Sequence, residues 1–71
     1  PRIAFMRISV NGEEREVADG CTVAGLLAGL GIPATRAAVE VDRALVRRAD
    51  HAATVLRPGA QVEIVTLVGG G

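Results

Sequence analysis

The stretch "ISVNGEEREVADGCTVAGLLAGLGI", residues 8–32, decides the fold because it encodes a β-hairpin followed directly by a helix. At its start, "MRISV" (6–10) alternates apolar and polar residues, which is the period of a strand with one solvated face. Asn11 and Gly12 are the pair best suited to the two positive φ angles of a tight hairpin turn. The segment "EEREV" (13–17) then predicts an exposed second strand with its valine turned inward.

A short helix is predicted directly after this hairpin. Asp19 and Gly20 form a turn, and the hydroxyl of Thr22 can cap the helix N-terminus. Gly31 is placed to end the helix, and Pro33 prevents its continuation. The predicted buried face has the i, i+3, i+4, i+7 spacing and consists of Val23, Leu26, Leu27 and Leu30.

The remaining sequence predicts three more strands. "AAVEV" (37–41) alternates, and the Asp-Arg pair at 42–43 can turn the chain into a short strand at 44–46. Residues 47–54 read as an irregular or single-turn helical surface segment. After a Pro-Gly turn, "QVEIVTLV" (61–68) is the longest β-branched run in the chain and predicts a central strand.

One helix is available to cover one face of this sheet. The sequence therefore predicts an α+β fold of the β-grasp (ubiquitin-like) type, with a mixed sheet of four to five strands packed on one main helix. Residues 1–5 precede a methionine that resembles a natural start. We assign them to an N-terminal extension, which comes either from an upstream start codon or from the cloning vector. Residues 6–68 form the predicted domain, and residues 69–71 form a flexible C-terminal glycine tail.

Composition excludes several classes of function. The chain has 71 residues, and its eight arginines balance its eight acidic residues, which removes the electrostatic attraction to nucleic acid or anionic lipid. Phe5 is the only aromatic residue of the Phe, Trp and Tyr class, so there is no base-stacking platform. Neither a membrane-spanning apolar run nor a cysteine pair is present, and we expect a cytoplasmic protein without nucleic-acid or membrane partners.

The hairpin, the helix start "DGCTVAGLL" and the final "VEIVTLVGGG" occur in an order that resembles the ThiS family, the ubiquitin-like β-grasp sulfur carriers of thiamine biosynthesis. The resemblance covers residues 6–71. Two positions depart from the family pattern. Arg47 stands where the family commonly has proline, and His51 stands where a larger aromatic residue is usual. Both departures concern local loop packing and not the tail.

The resemblance implies a function for the tail. In the family, a ThiF-type adenylyltransferase related to ubiquitin-activating enzymes uses ATP and magnesium to adenylate the terminal carboxylate, here that of Gly71. A sulfur donor such as a cysteine desulfurase then supplies the sulfur of a thiocarboxylate, which is delivered to a ThiG-type thiazole synthase. Gly69 and Gly70 would let the carboxylate enter two enclosed sites. The chain is thus expected to be a protein substrate, not an enzyme, with no catalytic residue, bound metal or cofactor of its own.

A docking surface is predicted on the strand before the tail. The period of two places one set of side chains toward the helix and the other, which includes Glu63, toward solvent. Val65 and Leu67 belong to the solvated set, and exposed apolar residues beside a reactive terminus indicate partner docking. The set directed toward the helix comprises Val62, Ile64, Thr66 and Val68.

The other reactive side chains have simpler interpretations. Cys21, at the turn before the helix, could be a reactive thiol, but it lacks a partner in sequence and is interpreted as a half-buried small residue. His51 is interpreted as a packing or surface residue for the same reason. The acidic residues of the second strand, which suit a solvated edge that discourages aggregation, are Glu13, Glu14 and Glu16.

Two alternatives to a thiazole-pathway carrier stay open at this stage. One is a sulfur carrier of another pathway, such as molybdopterin or cysteine synthesis, with the same tail chemistry and a different acceptor. The other is a ubiquitin-like protein modifier.

Overall fold

The computed structural model describes residues 3–67 and contains one helix packed on a five-stranded mixed sheet. The strand order is β2-β1-β5-β3-β4, which confirms the predicted α+β, β-grasp architecture and the central position of the last strand. Two short 3-10 helices lie in the connections from α1 to β3 and from β4 to β5. The elements are β1 Phe5–Val10, β2 Glu13–Ala18, α1 Val23–Leu30, a 3-10 helix Ala34–Arg36, β3 Ala37–Val41, β4 Ala44–Val46, a 3-10 helix Arg48–Asp50, and β5 Gln61–Thr66.

The first hairpin forms as its turn residues predict. Asn11 and Gly12 have φ angles of 52° and 84°, and β1 pairs antiparallel with β2. Strand β1 begins at Phe5, one residue inside the segment that we assigned to an N-terminal extension. Phe5 pairs with Ala18 through its backbone while its side chain stays exposed, so the pattern of buried residues gave no signal for it.

The second hairpin uses residues less suited to its turn. Asp42 and Arg43 both have positive φ angles, 50° and 72°, and join the antiparallel strands β3 and β4. The side chain of Asp42 supports the turn, because its Oδ1 accepts a hydrogen bond of 2.9 Å from the backbone N–H of Gln61.

Helix α1 has the predicted ends. Its first turn is capped by Thr22, whose Oγ1 accepts a hydrogen bond of 3.1 Å from the N–H of Gly25. At its end, Gly31 adopts a left-handed φ of 71°, and the next residue, Ile32, donates its N–H to the carbonyl of Leu27 at 2.9 Å. This pairing satisfies backbone groups that the last turn leaves open and lets the chain reverse.

The core lies between α1 and the inward face of the sheet. Strand β5 is its centre, since it pairs parallel with β1 and antiparallel with β3. Burial of these aliphatic side chains is the main favourable contribution to folding. The buried apolar residues are Met6, Ile8, Val10, Val23, Leu26, Leu27, Val39, Leu56, Ala60, Val62 and Ile64.

Candidate functional site

The end of β5 shows the predicted two faces. Val62 and Ile64 are buried against the helix side, whereas Val65 and Leu67 are 61% and 58% exposed on the opposite face. The strand ends at Thr66 rather than at 68, and Leu67 follows it without regular strand structure. The exposure predicted for both candidate docking residues is therefore confirmed, while their binding role stays a prediction.

The predicted reactive group lies outside the described residues. Val68, expected on the helix side, and the tail residues Gly69, Gly70 and Gly71 fall beyond residue 67, where the description stops. The geometry of the candidate site is consequently that of the strand which leads into the tail.

Thr66 differs from the buried residues of its own face. It was expected toward the helix and it does line a cavity there with Leu30 and Ile32, yet its side chain is exposed. The physical reason is the length of α1, which ends at Leu30 and leaves the last residue of β5 uncovered.

Acidic residues lie next to the exposed apolar pair, and Arg36 is its backbone neighbour. Across the β3–β5 pairing, Val65 lies opposite Ala38 and Glu63 lies opposite Glu40. Leu67 donates its N–H to the carbonyl of Arg36 at 2.7 Å. Within residues 3–67 the only ion pair joins Arg7 to Glu14 elsewhere on the sheet, at 4.0 Å. The charges beside the apolar pair therefore have no ion-pair partner in the described part of the chain.

A side chain that sequence reasoning missed holds β5 in place. Asn11 receives a hydrogen bond of 2.8 Å from the N–H of Ile64 at its Oδ1 and donates one of 3.1 Å from its Nδ2 to the carbonyl of Ile64. The Asn-Gly dipeptide signalled the turn. Nothing in the local sequence shows that the asparagine side chain meets a strand 53 residues away.

Cys21 and His51 occupy structural positions. Cys21 is half-buried beside the core, and its thiol donates to the carbonyl of Thr22 at 3.4 Å, in agreement with its interpretation as a small packing residue. His51 is buried, with Nε2 at 3.3 Å from the carbonyl oxygen of Val46. Its Nδ1 has no hydrogen-bond partner among the described residues. Of the two interpretations of His51, a packing or a surface residue, its burial confirms the packing one.

No other constellation in residues 3–67 suggests a reactive centre. The acidic residues of β2 are exposed on the sheet edge, as expected for Glu13, Glu14 and Glu16. No group of three or more His, Cys, Asp or Glu side chains in this part of the chain could hold a metal ion. Over the same residues, no helix has the length and apolar character that crossing a bilayer requires.

Comparison with known proteins identifies the family. A model of the ThiS family matches residues 8–71, which is nearly the whole chain. The chain belongs to the ThiS family. The fold agrees with this assignment: the crystal structure of the thiamine biosynthesis protein (ThiS) from Geobacter metallireducens superposes with a TM-score of 0.79 at 32% identity, covering 93% of this chain and 100% of that one.

Two curated relatives of this ThiS-family chain are much longer proteins. A thiazole synthase from Magnetococcus marinus is 42% identical over 66 residues, and one from Paramagnetospirillum magneticum is 36% identical over 66 residues. The match covers 93% of this chain but only 20% of either relative. The chain thus spans about a fifth of the length of these curated relatives.

The structure also shows how this ThiS-family chain would accommodate the two departures expected from the resemblance. Arg47 has a φ of −65° and a ψ of 147°, which is backbone that proline itself adopts. Arginine there needs no rearrangement of the loop. His51 is buried beside an open cleft lined by Ala24, Ala28 and Ala52, so the site has room for the larger aromatic ring expected there.

Proposed function

We propose that this ThiS-family chain is a sulfur carrier in thiamine biosynthesis, acting in formation of the thiazole ring. The observation that carries the proposal is the family match, which extends through residue 71 and so includes the glycine tail. The full-length structural similarity to a thiamine biosynthesis protein supports the same pathway.

In the proposed mechanism the α-carboxylate of Gly71 is the reacting group. A carboxylate is ionised at neutral pH and is a poor electrophile, so it needs activation. A ThiF-type adenylyltransferase joins it to AMP at the expense of ATP, with magnesium, and pyrophosphate leaves. The outer sulfur of a persulfide donor, such as that of a cysteine desulfurase, then attacks the acyl-adenylate, so that AMP leaves and an acyl disulfide forms. A thiol, as reductant, cleaves the S–S bond of this disulfide, forms a new disulfide with the donor sulfur and releases the thiocarboxylate. ATP and magnesium belong to the partner enzyme.

In this mechanism the partner enzymes carry out catalysis, because residues 3–67 contain no nucleophile with a base within hydrogen-bond reach. The Cys21 thiol donates to the adjacent Thr22 carbonyl, and the His51 ring is buried with its Nε2 near a backbone carbonyl. A catalytic nucleophile requires a base within hydrogen-bond reach, which neither residue has among residues 3–67. The chain therefore acts as a protein substrate.

Docking is assigned to the exposed face of β5. Val65 and Leu67 form an apolar surface directly before the tail, and unpartnered charges border it. An apolar centre with a polar rim is the usual anatomy of a protein interface. A partner bound at this surface would hold the strand while the glycine tail enters the active site.

Thiazole synthase is the proposed acceptor. Support comes from the two thiazole synthases that each contain a segment similar to nearly all of this chain. A carrier domain and its acceptor within one polypeptide are kept at high effective concentration, which is useful only when the two interact. We infer that the same pair of activities interacts here.

Intact-mass measurement tests the proposal. The protein is incubated with the cognate adenylyltransferase, ATP, magnesium and a cysteine desulfurase with cysteine. We expect a mass increase equal to the replacement of one oxygen by sulfur, located in the C-terminal peptide. Sulfur found on Cys21 instead would show a persulfide carrier and contradict the tail mechanism.

A truncated chain without Gly70 and Gly71 provides the matched control. These residues have no side chains to bury, so thermal stability should stay almost unchanged while ATP–pyrophosphate exchange with the adenylyltransferase is lost. Exchange retained by the truncated chain would remove Gly71 as the activated residue.

A further inference from the structure

The backbone groups of β5 alternate between its two neighbouring strands. Gln61 accepts a hydrogen bond of 2.8 Å from the N–H of Asp42, and Leu67 donates one of 2.7 Å to Arg36, so the odd-numbered residues face β3. Val62 accepts a bond of 2.9 Å from Asn11 on the opposite side. The even-numbered residues of β5 therefore direct their N–H and C=O groups toward β1.

Strand β1 is too short to pair with the whole of β5. Its parallel pairing ends at Val10 opposite Val62, because the chain then turns at Asn11. The side chain of Asn11 takes the place of a strand for one more residue by bonding both backbone groups of Ile64. Asn11 thus marks the point at which β5 loses its neighbour.

Thr66 is the first even-numbered residue beyond this point. It lies opposite Ala37 in a pair that does not exchange hydrogen bonds, since the adjacent residue Leu67 bonds to Arg36. Its N–H therefore points away from β3, to the side where the pairing with β1 has already ended at Val62, and among residues 3–67 it takes part in no side-chain, turn or loop hydrogen bond. Thr66 consequently presents an open strand edge, the arrangement to which an extended peptide can add.

A cavity of about 260 Å³ adjoins this open edge. Leu30, Ile32 and Ile64 provide apolar walls, and Glu13 and Arg15 of β2 line its polar side. A strand added at Thr66 would direct alternate side chains into this space, because successive side chains of a strand point to opposite faces. The edge and the cavity therefore fit the same occupant.

We propose that an extended segment of thiazole synthase adds to β5 at Thr66 and places an aliphatic side chain in this cavity. The inference rests on the proposed function for the identity of the partner and deepens it by giving the mode of binding. The segment bonds to the backbone of Thr66 and is stopped at Ile64, whose groups Asn11 already occupies. Since Thr66 lies five positions before Gly71, the added strand would fix the start of the tail at the entrance of the acceptor site.

Amide hydrogen exchange, read by NMR on isotope-labelled carrier, tests the proposal directly. In the free protein we expect the Thr66 amide to exchange fast and the Leu67 amide, bonded to Arg36, to exchange more slowly. Saturation with cognate thiazole synthase should slow exchange at Thr66 by about tenfold or more, because one new backbone hydrogen bond forms. A saturated complex in which the Thr66 amide still exchanges fast overturns the proposal.

A pair of variants provides a second measurement. Thr66→Pro removes the N–H donor, whereas Thr66→Val keeps it at similar side-chain size. We expect the proline variant to bind thiazole synthase about tenfold more weakly and the valine variant to bind like the parent, with melting curves recorded for both. Equal binding by two folded variants contradicts the proposal; if the proline variant does not fold, the exchange measurement decides.

The outcomes separate this inference from the proposed function. A complex that forms and accepts sulfur, with Thr66 unprotected, overturns the added strand and leaves the carrier function intact. Absence of any complex with thiazole synthase overturns both. Protection of Thr66 that depends on carrier concentration alone, without thiazole synthase, would assign the edge to a second copy of this chain and overturn the proposal.

Discussion

Asn11 is hydrogen-bonded through its side chain to both the N–H and the carbonyl of Ile64, 53 residues further along the chain. The same residue has a φ of 52° and so also forms the first position of the β1–β2 turn. One residue therefore ends β1 and, through its side chain, extends the hydrogen bonding along β5, which joins the turn to the strand that leads into the tail.

Replacement of Asn11 by glycine should destabilise the fold mainly through this contact. Glycine adopts the positive φ without steric strain, so Asn11→Gly removes the two hydrogen bonds and keeps the turn, with the entropic cost of glycine added. With each bond contributing about 0.5–1.5 kcal/mol, we expect a loss of about 1–3 kcal/mol in the free energy of unfolding, measured by urea denaturation.

Two further variants at this position identify the cause. Asn11→Ala should be less stable than Asn11→Gly by about 1 kcal/mol, because alanine is strained in the left-handed region. Asn11→Asp keeps an acceptor for the Ile64 N–H but sets a carboxylate oxygen against the Ile64 carbonyl, so it should also be destabilised. An Asn11→Gly variant as stable as the parent would show that the side-chain contact contributes nothing.

Much of the fold follows from local sequence. The period of two in β1 and β5, the Asn-Gly turn, the Thr22 cap and the Gly31 stop each depend on residues a few positions apart, and the structure contains all of them. Together these local signals define one helix and one sheet, whose apolar faces must pack against each other. The central place of β5 follows because a strand rich in β-branched apolar residues is best buried between two neighbouring strands.

The site was only partly predictable. Exposure of Val65 and Leu67 follows from alternation about Glu63, which needs no knowledge of the rest of the chain. The contact of Asn11 with Ile64 and the open edge at Thr66 depend on where β1 stops relative to β5. That register is set by tertiary packing between distant segments, and no local pattern encodes it.

The second hairpin offers a stabilising substitution. Arg43 is exposed and has a φ of 72°, a conformation that costs a non-glycine residue roughly 1–2 kcal/mol. Because glycine has its own entropic cost, Arg43→Gly should raise the free energy of unfolding by about 0.5–1 kcal/mol. Asp42 is left in place since its side chain bonds to Gln61.

The control for this turn is Arg43→Ala, which removes the same charged side chain but keeps a Cβ in the left-handed region. It should show no gain in thermal or chemical denaturation. Equal stabilisation by alanine and glycine would assign the effect to loss of the arginine charge, and not to the backbone.

His51 provides a test of buried polarity. Its ring is buried with Nδ1 unpartnered among the described residues, and an unsatisfied buried group costs about 1–3 kcal/mol. His51→Phe removes that nitrogen, keeps an aromatic ring and gives up the single contact of Nε2 with Val46. We expect the phenylalanine variant to be at least as stable as the parent in urea denaturation.

His51→Ala distinguishes ring packing from polarity. It leaves a space next to the cleft between α1 and the 3-10 helix Arg48–Asp50, so it should lose about 2 kcal/mol or more. If phenylalanine were as damaging as alanine, the Nε2 contact with Val46 would be the main contribution of His51.

The docking surface is tested by a charge placed at its centre. Leu67 is 58% exposed and is absent from the buried core, so Leu67→Asp should leave the fold intact. Its exposed apolar surface would be covered in a complex, and a carboxylate buried there without a partner is unfavourable. We expect Leu67→Asp to weaken binding to both the adenylyltransferase and thiazole synthase by about 1 kcal/mol or more, measured by titration of each enzyme.

Val55→Asp is the matched control for this measurement. Val55 is 56% exposed, close to the value for Leu67, but it pairs with Thr22 at the start of α1, whereas Thr66, at the end of β5, lines a cavity with Leu30 at the end of that helix. The same charge at this distant position should leave both affinities unchanged. Equal weakening by the two variants would reflect net charge, and unchanged affinities for Leu67→Asp would remove the β5 face as the docking surface. A Leu67→Asp variant that failed to fold would show that Leu67 contributes to stability despite its exposure.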